Sequence, residues 1–294
     1  MDEEPVFIVG TPRSGTSILY RSVLLHSEFY PGEVCLTETE IFLNSSRVLP
    51  YLRGEKSLYE YMLGKDKIYN KFVNKVYPVA IAQRLPERVI RPLWPYSKTI
   101  WKALGGEHIV KSFFEMAWRA RKKKRIVEKT PRHIECVEYI NCVYEKCKII
   151  FTIRHPIDVF SSYLRRRKID RYKEHYTKEK FVQIYKKHMK IIKNEQKKDN
   201  TKCIHYNEFT RNTEKEYKEL CSFLEIDYES RPITQRVDSL SGWEPDPYLS
   251  EPITPSTKDW REYISLESAR WIEERLSSTM STFGFDYKSG RRSG

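Results

Sequence analysis

Val6-Phe7-Ile8-Val9-Gly10, followed at once by Thr11-Pro12-Arg13-Ser14-Gly15-Thr16-Ser17, is the stretch that most limits how this chain can fold. Four consecutive apolar residues closed by a glycine read as a short strand buried on both faces, the habit of parallel sheets. Ser17 to His26 then carries Ile18, Leu19, Val23, Leu24 and Leu25 at helical spacing. A strand, a glycine-bracketed turn and a helix make an anion cradle. The N–H groups of the turn and of the helix N-terminus point at whatever negative group it holds.

The spacing Gly10-x4-Gly15-x-Ser17 is that of a nucleotide phosphate loop, but Thr16 stands where such loops place their phosphate-gripping lysine. The positive charge is supplied instead by Arg13, inside the turn. Metal-dependent kinases and NTPases also need an acid at a strand end to hold Mg²⁺. Here the later apolar strand Lys148 to Ile153 runs into Arg154. The loop suits a phosphate bound without a metal ion.

At 294 residues the chain is long enough for one full α/β core, and 39% apolar with 32% charged residues is ordinary for a globular domain. The net charge of +13 suits an anionic ligand, a nucleic acid or an anionic membrane surface, without choosing among them. Much of it lies in Arg119 to Arg125 and Arg165 to Lys168, which read as solvated helix faces and ends. Six cysteines show neither C-x-x-C pairing nor zinc spacing, which fits buried thiols in a reducing compartment. No signal segment and no run of about 18 apolar residues is present, so the expectation is a soluble, cytoplasmic protein; the excised lumenal domain of an anchored enzyme would read the same way.

In chain order, Gly32 to Phe42 reads as a turn and a second strand that ends in Glu38 and Glu40. A carboxylate beside an anion loop is a candidate general base, although a solvent-facing acidic strand end has the same pattern. Residues 44–120 read as a helical, aromatic-rich insertion of the kind that shapes an acceptor pocket. Arg125 to Glu128 is a third strand, ending in Lys129-Thr130-Pro131-Arg132-His133, with Thr130 as expected N-cap and Pro131 at the first helical position. Lys129 thus lies where open α/β sheets bind ligands. After Arg154, Pro156 opens a helix in which Ser162 follows the arginine by eight residues; seven helical residues rise about 10 Å, so the two converge only on a group lying beside the helix. Thr177 to Lys193 is an amphipathic helix with His188 on its partly buried side, Lys202 to Tyr206 a fifth strand, and Tyr206 to Leu224 scaffold. Gly242 to Lys258 is a proline-rich ordered loop, Leu266 to Phe283 a last helix, and 288–294 a frayed tail.

Three of these stretches carry a resemblance. Val-Gly-Thr-Pro-Arg-Ser-Gly-Thr-Ser resembles the 5′-phosphosulfate loop of sulfotransferases that use 3′-phosphoadenosine 5′-phosphosulfate (PAPS). Lys-Thr-Pro-Arg-His at 129–133 resembles their second landmark, and Arg154 with Ser162 is similar to their 3′-phosphate signature. The resemblance implies a three-layer α/β sandwich with a central parallel sheet of about five strands, P-loop NTPase-like, over a single domain at 1–287. It implies PAPS as sulfate donor and the bisphosphate PAP as product, with no metal. Thr11, Pro12, Arg13, Ser14, Gly15, Thr16, Ser17, Arg154 and Ser162 would bind the nucleotide. Ser256 and Lys258 are looser candidates for a basic loop closing over it.

Catalytic roles fall to Lys129 and Arg13, which would offset developing charge, and to a base. Cytosolic aryl sulfotransferases follow Lys-Thr with a catalytic histidine, where this chain has Pro131. Glu38-Thr-Glu-Ile-Phe42 is similar to the Glu-x-x-Phe-Phe pattern of the carbohydrate- and tyrosine-acting branches, which assigns the base to Glu38 and leaves Glu40 and His133 in reserve. The acceptor implied is a small molecule, glycan, lipid or peptide bearing a hydroxyl or amine, and no nucleic acid. A phosphate-loop kinase or NTPase, or a non-catalytic polyanion-binding module, stays open beside this reading.

Overall fold

Five parallel strands form one sheet in the order β2-β3-β1-β4-β5: β1 (Val6–Gly10), β2 (Leu36–Thr37), β3 (Val127–Lys129), β4 (Lys148–Ile153) and β5 (Thr201–His205). The computed structural model describes residues 4–29, 36–37, 42, 111, 114, 118, 124–170, 177–235, 252–256 and 258–290, without the side chains of 36–37 and 167–170. The helices within these residues are α1 (Thr16–Leu24), α2 (Val137–Val143), α3 (Pro156–Asp170), α4 (Lys178–Glu195), α5 (Tyr206–Arg211), α6 (Thr213–Leu224), α7 (Arg231–Thr234) and α8 (Leu266–Thr282). None of them is long and apolar enough to cross a membrane.

β1 is central because its neighbours lie on both sides and every one of its side chains is shielded. Val6 and Ile8 face α1 and α6, packing with Leu19, Val23 and Leu220. Phe7 and Val9 face the opposite layer, where Val137, Ile157, Tyr185 and Ile272 come from α2, α3, α4 and α8. Strand alternation therefore builds two cores from one run of four apolar residues, each fully buried side chain stabilising by about 1.5–3 kcal/mol. The expected three layers follow. The chain leaves β1 toward β2 and β3 on one side and returns to β4 and β5 on the other. That places the end of β1 at the reversal in strand order, where open sheets bind ligands.

Thr177 and Ser265 start α4 and α8 by accepting from Lys180 N at 3.3 Å and Ser268 N at 3.2 Å. Phe114, at the end of the expected insertion, stacks edge-on against Phe7 (5.6 Å between centroids) and belongs to the main core; nearly all of 44–120 lies outside the described residues.

Two polar expectations are corrected. Arg125 is no solvated cluster member: it is buried, donating from Nε to the Glu4 carbonyl at 2.9 Å and from Nη1 to the Leu224 carbonyl at 2.6 Å. Nor does the chain fray at 288. Lys288 Nζ lies 2.6 Å from Asp158 on α3, and the N–H groups of Lys288 and Ser289 reach the fully buried Glu273 carboxylate at 2.8 and 3.2 Å. A buried carboxylate must be satisfied, and these donors satisfy it. Residues 291–294 lie outside the described residues. Burial pushes the thiols of the buried Cys136, Cys147 and Cys221, and of the half-buried Cys203, up to about 11.

Candidate anion-binding site

The turn after β1 is held from below by β4. Gly10 pairs with Thr152, and a Cβ on Gly10 would lie 2.8 Å from both the Ser14 hydroxyl and the Thr152 carbonyl, so only glycine lets the strands and the turn approach this closely. Ser14 Oγ sits 2.5 Å from Thr152 Oγ1, and Ser14 N donates to the Thr11 carbonyl at 3.0 Å, closing the turn. Arg13 takes φ 76° and Gly15 φ 106°. A non-glycine residue at such an angle is costly, of order 1–3 kcal/mol, and such strain clusters at ligand clamps. Gly15 leads directly into α1, whose first turn has neither a side-chain cap nor an acidic residue. Those N–H groups are left facing the loop, as an anion needs. Thr11, Ser14 and Thr16 are buried, while Pro12, Arg13, Gly15 and Ser17 are partly open to solvent.

The third sequence landmark meets the first on Arg13. Its Nε donates to Ser162 Oγ at 3.3 Å, and Arg154 Nη1 donates to the Arg13 carbonyl at 3.3 Å. Two cations and the α1 N-terminus therefore surround one place at the C-terminal edge of the sheet. Arg154 is itself held: Tyr185 donates from its hydroxyl to the Arg154 carbonyl at 2.8 Å, and the guanidinium lies over the Tyr206 ring. Tyr206, read as scaffold from the sequence, also packs against Gly15, where an added Cβ would sit 3.0 Å from Cε2. Its place immediately after β5, at the same sheet edge as the loop, was the available signal.

The second landmark is split by strand alternation. Lys129, 3% exposed, shares a face with Val127, on the side packed by α1, and is level with Ile8 of β1 and Thr37 of β2. Glu128 points to the other side. There it accepts from Thr130 Oγ1 at 2.5 Å and from His133 Nδ1 at 3.0 Å. The Thr130 hydroxyl thus serves this carboxylate and does not cap the following helix, which opens as a 3₁₀ segment, Pro131–Cys136, before α2. His133 is fully buried, and its Nε2 accepts from Phe42 N at 3.2 Å. With both nitrogens spent on the scaffold, His133 has no lone pair for an acceptor's proton. Glu38 and Glu40 lie outside the described residues, between Thr37, paired to Lys129, and Phe42, bound to His133.

His188 proves to be more than a helix-face residue. Its Nδ1 lies 3.2 Å from Thr11 Oγ1, and its Nε2 lies 3.1 Å from Glu135 Oε1. The Glu135 carboxyl is pushed down to about 2, chiefly by this hydrogen bond and with help from Lys187. Ser256 and Lys258 are exposed on the irregular stretch leading to a 3₁₀ turn at Trp260–Glu262, which packs on α3; it is Trp260 that enters the core there. The structure thus brings Thr11, Arg13, Ser14, Arg154 and Ser162 together, while Ser256 and Lys258 are exposed.

The fold has relatives among solved structures. The sulfotransferase domain of the Synechococcus PCC 7002 olefin synthase aligns with TM-score 0.63 at 16% identity, covering 97% of this chain and 96% of its own. The sulfotransferase domain from the curacin biosynthetic pathway aligns at 0.59 with 14% identity over 97% and 98%. Sulfotransferase STF9 from Mycobacterium avium gives 0.51 with 13% identity over 98% and 79%. No curated protein matches the sequence. The model of the sulfotransferase family matches residues 5–230, most of the chain and every element of the anion site described above, and the protein belongs to that family of enzymes.

Proposed function

We propose that the protein transfers the sulfuryl group of PAPS to an acceptor hydroxyl or amine, with Glu38 as general base. The observation that carries this is the junction at Arg13, where the loop suited to a 5′-phosphosulfate touches the helix that carries Ser162 and is entered from Arg154. One nucleotide with anions at both its 5′ and 3′ positions would use both surfaces, whereas ATP would leave Arg154 and Ser162 without a phosphate. The residues present fit the donor: N–H groups of the loop and α1, and two guanidiniums suited to bidentate phosphate contacts.

PAPS, when bound, supplies an electrophilic sulfur and leaves as PAP. Glu38 takes the acceptor's proton as the acceptor forms its bond to sulfur and the bridging S–O bond breaks. Lys129 and Arg13 offset the charge that grows on the departing oxygen, an electrostatic contribution worth several kcal/mol when the donors are preorganised. Support for Glu38 comes from its chain position, one residue after Thr37, which is paired level with Lys129. We read residues 1–287 as the one domain that does this.

Calorimetric titration with PAP against ATP, without metal, tests the donor site: micromolar PAP binding with no ATP binding is expected, and tighter ATP binding would reopen a kinase reading. Glu38→Gln should abolish turnover and leave PAP affinity within about twofold. Survival of activity in that variant, with its loss in Glu40→Gln, would move the base to Glu40.

A further inference from the structure

His26, His133 and His155 are all buried, and each spends at least one ring nitrogen on a backbone group of the scaffold: the Asp227 carbonyl, Phe42 N and the Asp286 carbonyl respectively. His188 differs. It is 1% exposed, and both of its ring nitrogens face side chains, one of them in the anion loop. The order is Glu135 carboxylate, imidazole, Thr11 hydroxyl, a chain that reaches from the 3₁₀ segment before α2 through α4 to the first residue after β1.

The protonation pattern of the chain is fixed from one end. Glu135 stays ionised, because its carboxyl is held far below the ordinary carboxylate range and its second oxygen takes Lys187 Nζ at 2.5 Å. An ionised partner makes Nε2 the N–H of the ring, which leaves Nδ1 to face Thr11 Oγ1. A hydroxyl with a fixed partner is fixed in rotamer. Thr11 also supplies the carbonyl that closes the turn on Ser14 N. Its side chain therefore bears on the shape of the whole loop.

We infer that His188 is a positioning residue for the donor nucleotide, acting through Thr11: braced by Glu135, it holds the Thr11 hydroxyl and so keeps the loop in the shape that receives the 5′-phosphosulfate. This rests on the PAPS reading given above. The two imidazole nitrogens face Glu135 and Thr11, so His188 is assigned a positioning role and not that of a base. It preorganises a binding loop, so its loss raises the dissociation constant and leaves the bond-breaking step alone.

The test is a set of PAP titrations on the full chain. Asparagine at 188 keeps an amide where Nδ1 was, and glutamine keeps one where Nε2 was. Thr11→Val removes the hydroxyl at constant shape, and Thr11→Ser restores it. Thr11→Val and His188→Gln should each weaken PAP about tenfold, Thr11→Ser and His188→Asn should stay within about threefold, and Thr11→Val/His188→Gln should be no weaker than Thr11→Val alone. A purely structural histidine would give independent, additive losses and no preference for asparagine. Should the His188 variants fail to fold, ¹⁵N spectra of the imidazole decide: PAP should shift the His188 ring signal in the unaltered protein and not in Thr11→Val. Absence of PAP binding by the unaltered protein overturns the donor reading and this inference with it. PAP binding that is unchanged in His188→Gln, additive losses in the double variant, or a ring signal indifferent to PAP overturns this inference alone.

Discussion

The guanidinium carbon of Arg154 lies 4.1 Å from the centre of the Tyr206 ring, and the same ring covers Gly15. One aromatic side chain therefore locks the residue that enters α3 against the residue that starts α1. A cation held over a ring contributes about 0.5–2 kcal/mol, more as water is excluded, and here it also fixes where the charge points. Tyr206→Leu should keep the fold, because Phe209 and Tyr217 anchor α5 and α6 without it. It should weaken PAP about fivefold to tenfold, measured by calorimetry.

Gly15→Ala should be far more damaging than its size suggests. The position holds φ 106°, outside the reach of a relaxed L-residue, and the new methyl meets the Tyr206 ring. A stability loss of about 1–3 kcal/mol is expected in denaturant titration, together with loss of PAP binding at micromolar concentrations. Unchanged binding would mean that the loop remodels freely.

Acid should weaken the protein earlier than carboxylates alone would allow. His155 accepts from Ile157 N at 3.2 Å, and its Nε2 faces the Asp286 carbonyl at 2.9 Å, so it is buried in the neutral form; burial pulls its pKa below the ordinary 6.5. A depressed histidine contributes stability that is complete above pH 6.5 and declines as pH falls below it. His205, lowered by burial as well, acts in the same direction. Glu135 adds a second loss between its ordinary 4.5 and about 2. The urea midpoint should fall between pH 7 and 5.5, and His155→Asn should flatten part of that fall.

His133→Gln separates a structural histidine from a base. Removing a buried partner of Glu128 should cost about 3 kcal/mol, read as a lower thermal midpoint. Turnover per folded molecule at saturating donor should stay within about threefold. A drop of a hundredfold or more in a folded variant would restore His133 as the base.

Deleting residues 285–294 removes the donors of Glu273, the Asp286 carbonyl facing His155 and the Lys288 ion pair with Asp158. Several kcal/mol should be lost, since the buried Glu273 carboxylate is left unsatisfied. PAP affinity should fall as well, because the deleted segment packs on His155, the residue after Arg154. Lys288→Ala should cost less than the deletion, because it removes only the Asp158 ion pair and leaves the backbone donors to Glu273 in place.

The parts legible in the sequence were those written in consecutive residues. β4 lies at Lys148–Ile153 as its mostly apolar run predicts, and Pro156 opens α3. The loop announced itself through its glycines. What could not be read was any relation across long separations. The Thr11 contact to His188 spans 177 residues, and no local pattern distinguishes that histidine from an ordinary one on an amphipathic helix. Even over a short span, residue types alone do not show that Thr130 and His133 would both turn back to Glu128. Lys288 and Ser289 have the composition of a solvated end, yet they bind a glutamate fifteen and sixteen positions earlier.

That last connection bears on how the protein is made. The loop, β3 and Arg154 are all synthesised before residues 286–289. The entry to α3 is latched only once Asp286, Lys288 and Ser289 have been added and have closed on His155, Asp158 and Glu273. The anion loop can therefore be complete in the chain while the entry to α3 still lacks the contacts that residues 286–289 bring to it.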